Sequence, residues 1–172
     1  MRKVFSLLSV VILAVFATLF STTIFAQDSG VPDDFELTLV SAPFLLEDPL
    51  QVEGLTIHAD GAASISARLG DDGEIPAHDV EIGTDSVAAL YGVIQAQDFF
   101  GLGALYEDPN ILDGDYAIMT ITADGQTHSV RTVNIGVDAF DTIALWVNSY
   151  FPVEEMVLYN AFLDSGDEGD GQ

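Results

Sequence analysis

Leu55-Thr56-Ile57-His58-Ala59-Asp60-Gly61 returns 64 residues later as Met119-Thr120-Ile121-Thr122-Ala123-Asp124-Gly125. In both stretches apolar and polar side chains alternate and run into Asp-Gly. That is the pattern of a half-buried strand ending in a tight hairpin, where glycine accepts positive φ. A second strand follows each turn, over 63–69 in the first copy and 127–135 in the second, and each carries one arginine, Arg68 or Arg131. Each copy then reaches a helix. Val87, Leu90, Tyr91 and Ile94 form one apolar stripe behind a cap from Thr84 or Asp85, and Phe140, Ile143, Ala144 and Val147 form another behind Asp138. Both helices run out into aromatic pairs, Phe99-Phe100 and Tyr150-Phe151. Strand, turn, strand, helix and aromatic pair therefore recur in order, over 55–100 and over 119–151.

The remaining segments arrange themselves around this pattern. Phe35, Leu37 and Leu39 alternate with Glu36 and Thr38, an opening strand. Residues 70–83 read as a Gly/Asp-rich loop with a strand-like Val80–Ile82, and 101–115 as a connector between the halves. After Pro152, which suits a first helical turn, Val153, Met156 and Val157 suggest a short terminal helix. The sum is an α+β domain over 35–163, with about five antiparallel strands and two or three helices packed on one face.

Composition bounds where such a domain works. The chain has 172 residues, 28 acidic side chains against four basic ones, and no cysteine. Disulfides and thiolate chemistry are therefore excluded, and nucleic acid and anionic membranes are repelled for want of Lys and Arg. Arg2 and Lys3 precede an apolar run that ends in Ala26 before Gln27-Asp28-Ser29. That is the layout of a secretory signal peptide over 1–26, so a secreted or periplasmic location is expected, with no membrane contact after cleavage. An uncleaved anchor over Val4–Ala26 is the alternative. Residues 27–34 read as a flexible lead-in, and 164–172, without an apolar side chain, as a disordered acidic tail.

The order of Leu55-Thr56-Ile57, Asp60-Gly61, Asp98-Phe99-Phe100-Gly101-Leu102 and Tyr106, followed by the second strand pair and helix, resembles a group of bacterial extracytoplasmic α+β domains of unknown function. The resemblance covers about residues 35–151 and lacks that group's usual Cys-containing segment near Ala42-Pro43-Phe44. It implies an exported domain, and brings no catalytic residues.

Chemistry is thinly marked. His58 and His128 sit in hairpin strands and read as surface histidines, while His78, Asp79 and Glu81 offer metal-ligand types without a zinc spacing. No Gly-x-Ser-x-Gly elbow occurs. Asp108, Asn110, Asp113 and Asp115 are candidates for a weak calcium site, and no other cofactor is expected; their register is not that of an EF-hand, since position five from Asp108 is Leu112 and position twelve is Met119. Arg68 and Arg131 read as structural, pairing with cross-strand carboxylates or covering apolar surface with their stems. The expected function is a non-enzymatic binding or interaction domain for a protein or envelope component. The alternatives are an Asp-rich domain stabilised by calcium or salt, and a small hydrolase.

Overall fold

The computed structural model describes residues 30–43, 52–70, 73–111, 115–152 and 157. The leader over 1–26, the tail over 164–172 and the helix expected around Val153 and Met156 lie outside them. Among the described residues no helix is long and apolar enough to cross a membrane.

The opening strand β1 (Glu36–Pro43) forms the centre of the main sheet, with β2 (Glu53–His58) and β8 (Asp115–Ala123) antiparallel on its two sides. The similar heptads meet it in the same register. Leu55 and Met119 both face Leu39, Thr56 and Thr120 both face Thr38, and Ile57 and Ile121 both face Leu37. Beyond β2 lie β3 (Ala62–Ile65) and β6 (His78–Glu81); beyond β8 lie β9 (Gln126–Val133) and β7 (Leu105–Glu107). The sheet thus has seven strands in the order β6-β3-β2-β1-β8-β9-β7. A separate two-stranded ribbon pairs β4 (Arg68–Gly70) with β5 (Gly73–Ile75).

Helices α1 (Thr84–Ala96) and α2 (Asp138–Asn148) share the core with one face of the sheet. Leu37, Leu39, Ile57, Met119 and Ile121 meet Val87, Leu90, Ile94, Phe140 and Ile143 there, all fully buried. Burial of one such side chain contributes about 1.5–3 kcal/mol, so this alternation fixes which face of every strand points inward. Phe35 packs edge-on against Tyr91, with ring centroids 5.6 Å apart. The Tyr150 hydroxyl donates to the Ser86 carbonyl at 3.0 Å, tying the end of α2 to the start of α1. Buried Asn148 exchanges two hydrogen bonds with the Val157 backbone, accepting from its N–H and donating to its carbonyl.

Several expectations change. The strands are more numerous than five, and the sheet is mixed, because β7 joins β9 in parallel. The loop expected over 70–83 contains β5, its strand-like stretch at Val80–Ile82 belongs to β6 at His78–Glu81, and the connector over 101–115 contains β7. Arg68 does not lie in the hairpin partner of β2: β3 ends at Ile65, and Arg68 opens β4, buried. Neither helix takes a side-chain cap. Gly83 and Val137 occupy the capping positions, and the acids Asp85, Asp138 and Asp141 sit in the first turns, where they oppose the positive end of the helix dipole. Residues 30–34, expected at the end of a flexible lead-in, fold onto the second hairpin. The Asp34 carboxylate accepts from the N–H groups of Asp124 and Gly125 at 2.9 and 2.6 Å.

Candidate functional site: the uncovered sheet face

Among the described residues the helices cover one face only, and the opposite face shows the alternate residues of every strand. The register aligns them in rows. Asp79, Ser64, Thr56, Thr38, Thr120 and Ser129 face one another across β6, β3, β2, β1, β8 and β9. At about 4.8 Å between strands, this row of hydroxyls closed by one carboxylate is about 24 Å long. Neighbouring oxygens touch: Thr120 and Ser129 are 3.0 Å apart, and Thr38 and Thr56 3.5 Å. A parallel row carries Glu36 between His58 and Thr122, and Thr122 lies 2.9 Å from Thr127. On the other side run Val40, Ile118, Arg131 and Leu105.

The hydroxyl row dips into an open depression of about 400 Å³ whose lining includes Thr38, Val40, Gly54, Thr56, Ser64, Ser66 and Asp79. Within that lining Gly54 lies opposite Val40 on β1, and a Cβ there would stand 3.1 Å from the Ser66 hydroxyl oxygen. A second depression of about 450 Å³ lies beside it and shares Ser64 and Asp79.

The candidates from the sequence fall in different places. His58 is on this face, half-exposed, with Nδ1 3.4 Å from the Glu36 carboxylate. His128 corrects the surface reading. It pairs with Ile121 on the inward face, packs edge-on against Phe99 at 5.6 Å, and has Nε2 3.0 Å from the Leu102 carbonyl. His78, Asp79 and Glu81 all lie on β6, with Asp79 and Glu81 facing Ser64 and Ala62 and His78 facing Ile65. His78 and Asp79 therefore point to opposite faces.

Of the calcium candidates, Asp113 lies outside the described residues. Asp108 closes a local turn, its Oδ1 accepting from the backbone and side-chain N–H groups of Asn110 at 2.9 Å each. Asp115 opens β8. The end of β9 stands between Asp108 and Asp115: the Asp108 N–H reaches the Val133 carbonyl, and the Asn134 N–H reaches the Asp115 carbonyl. Arg131 takes an aromatic partner, its guanidinium carbon 4.7 Å from the centre of the Tyr116 ring, an arrangement worth about 0.5–1 kcal/mol at an exposed site.

Hydroxyls both donate and accept, so a row of them is equipped to bind a polar ligand along its length. Sequence reading missed this row and Gly54. The signal was the outward threonine in Leu37-Thr38-Leu39, Leu55-Thr56-Ile57 and Met119-Thr120-Ile121. No family model matches the chain, and no curated protein matches it in sequence. The resemblance to extracytoplasmic domains therefore rests on the residues quoted for it.

Proposed function

We propose that this chain is a secreted or periplasmic, non-enzymatic binding domain that meets its partner on the uncovered sheet face, at the depression lined in part by Gly54. The charged and apolar leader supports export, and the two hairpins flanking β1 would serve as the halves of the binding platform. One observation carries the reading. A glycine inside a strand forfeits side-chain packing and costs backbone entropy, and it recurs where another molecule approaches the backbone closely. Gly54 sits at negative φ, so its backbone does not demand glycine. The missing side chain makes room for the Ser66 hydroxyl, which a Cβ there would meet at 3.1 Å, and leaves the Gly54 backbone as part of the depression's lining.

Gly54→Val tests this. A β-branched residue suits a strand, but its Cβ would stand 3.1 Å from the Ser66 hydroxyl oxygen, so a thermal melt first establishes that the variant is folded. Binding of the full chain to an isolated envelope fraction of the source cells, read by surface plasmon resonance, is expected to weaken at least tenfold. Unchanged binding in a folded Gly54→Val variant rejects the depression as the site.

A further inference from the structure

Resting on that reading of the uncovered face, we infer that its ligand is a neutral or amine-bearing glycan lying across the strands along the hydroxyl row. Ser64, Thr56, Thr38, Thr120 and Ser129 lie in direct cross-strand register, so their oxygens form a line perpendicular to the strands. Each hydroxyl has one donor and two acceptor positions, and the contacts among them use only part of that capacity. A ligand that is itself a chain of hydroxyls matches such a line unit after unit, because each side can exchange donor and acceptor roles. The threonine methyls beside the oxygens give the row the same mixture of apolar and hydroxyl surface that a sugar ring presents. Gly54 lines the depression beside the Ser66 hydroxyl, and with no side chain of its own it lets one unit of the chain approach the backbone there.

Charge selects among glycans. The row ends at Asp79, the next one holds Glu36 and Glu81, and the whole chain carries a net charge of -24. An anionic polymer is repelled, while a neutral one is tolerated and an amine-bearing one attracted. Strand addition by a peptide is the competing mode, and it would use the β6 or the β7 edge. Those edges are four and three residues long and carry Asp79 and Glu81, and Glu107, features that oppose edge pairing.

The test titrates the full chain by calorimetry with a chitosan oligosaccharide, a cello-oligosaccharide and an oligogalacturonate. The first or second is expected to bind and the third not. Thr38→Val with Thr56→Val keeps side-chain shape and removes two hydroxyls; affinity should fall at least tenfold, with Thr84→Val on α1 as an unaffected control. Three results overturn the inference: no binding of either non-anionic oligosaccharide, binding indifferent to the paired Thr→Val change, or chitosan binding reduced as much by Asp85→Asn with Asp138→Asn as by the threonine pair, which marks bulk charge. If the oligosaccharides fail while Gly54→Val still abolishes retention by the envelope fraction, the glycan is wrong and the site stands. If Gly54→Val changes neither, both fall.

Discussion

The two Asp-Gly hairpins are spelled almost alike and are built differently. In the second, Ala123 faces Gln126 directly, and Asp124 and Gly125 both take positive φ, 53° and 71°. That is the two-residue turn whose twist matches the flanking strands. In the first, the Gly61 N–H closes on the His58 carbonyl, and Gly61 alone is left-handed, at 90°. The chain spends three residues, 59–61, on that turn. The surroundings differ as well: Gly61 lies against the backbone of Gly83, whereas Gly125 has open space around it and is held from outside by Asp34. The hairpins also leave β1 in opposite directions. Both β2 and β8 run antiparallel to β1 and turn the same apolar residues toward the helices, yet β3 lies to one side and β9 to the other. No rotation carries one hairpin onto the other while keeping strand direction and buried face. Similar spelling here dictates a strand and a reversal; the way the chain departs from the central strand is decided by what packs around the turn.

That contrast breaks most sharply at the two glycines. An alanine at 61 would place its Cβ 2.7–2.8 Å from Gly83 backbone atoms, in addition to the left-handed strain. Strain of about 1–2 kcal/mol plus overpacking of about 1–3 kcal/mol gives an expected loss of roughly 2–5 kcal/mol for Gly61→Ala. Gly125→Ala carries the strain alone, about 1–2 kcal/mol. Urea unfolding of the pair measures the difference, and equal losses would erase the packing distinction.

A smaller effect belongs to the aspartates. Asp34→Ala removes two charge-assisted hydrogen bonds that join positions 90 residues apart, at an expected cost of about 1–2 kcal/mol on this exposed surface. Asp60→Ala removes one local bond, from the Ala62 N–H, and should cost about 0.5 kcal/mol. A larger loss at Asp60 in thermal melts would reverse the assignment of which turn needs outside support.

What was legible in the sequence was local. The alternation through Phe35, Leu37 and Leu39 placed β1, and the stripes Val87-Leu90-Tyr91-Ile94 and Phe140-Ile143-Ala144-Val147 placed the helices, because burial of one face writes its period into the chain. His128 was readable too: it lies two residues before buried Val130, in phase with the inward face. The short strands were not. Leu105–Glu107 has no alternation long enough to detect, and its parallel pairing with β9 is fixed by tertiary contacts. The site divides in the same way. An outward threonine in three strands is a matter of period, but their alignment into one row depends on β1 pairing with partners 18 and 82 positions away. No local pattern carries that register.

The helices extend the comparison to the smallest effect, through the acids of their first turns. Asp141 in α2 is half-buried, and Asp85 in α1 is exposed. Burial raises the Asp141 carboxyl above the ordinary aspartate value, neighbouring Asp138 adds to the rise, and a hydrogen bond from the Val137 N–H works against both. A raised pKa means that the folded chain holds this proton more tightly than the unfolded chain does. Between the unfolded value and the raised folded value, the native state therefore binds more protons, and this group's contribution to stability declines as pH climbs. Asparagine cannot ionise, and its side-chain oxygen still accepts from Val137. The melting temperature of Asp141→Asn minus that of the parent should thus increase as pH rises through the aspartate range and level off above it. A difference that stays flat with pH would mean that partial burial does not bear on the Asp141 carboxyl, and that the first turn of α2 is as well solvated as that of α1.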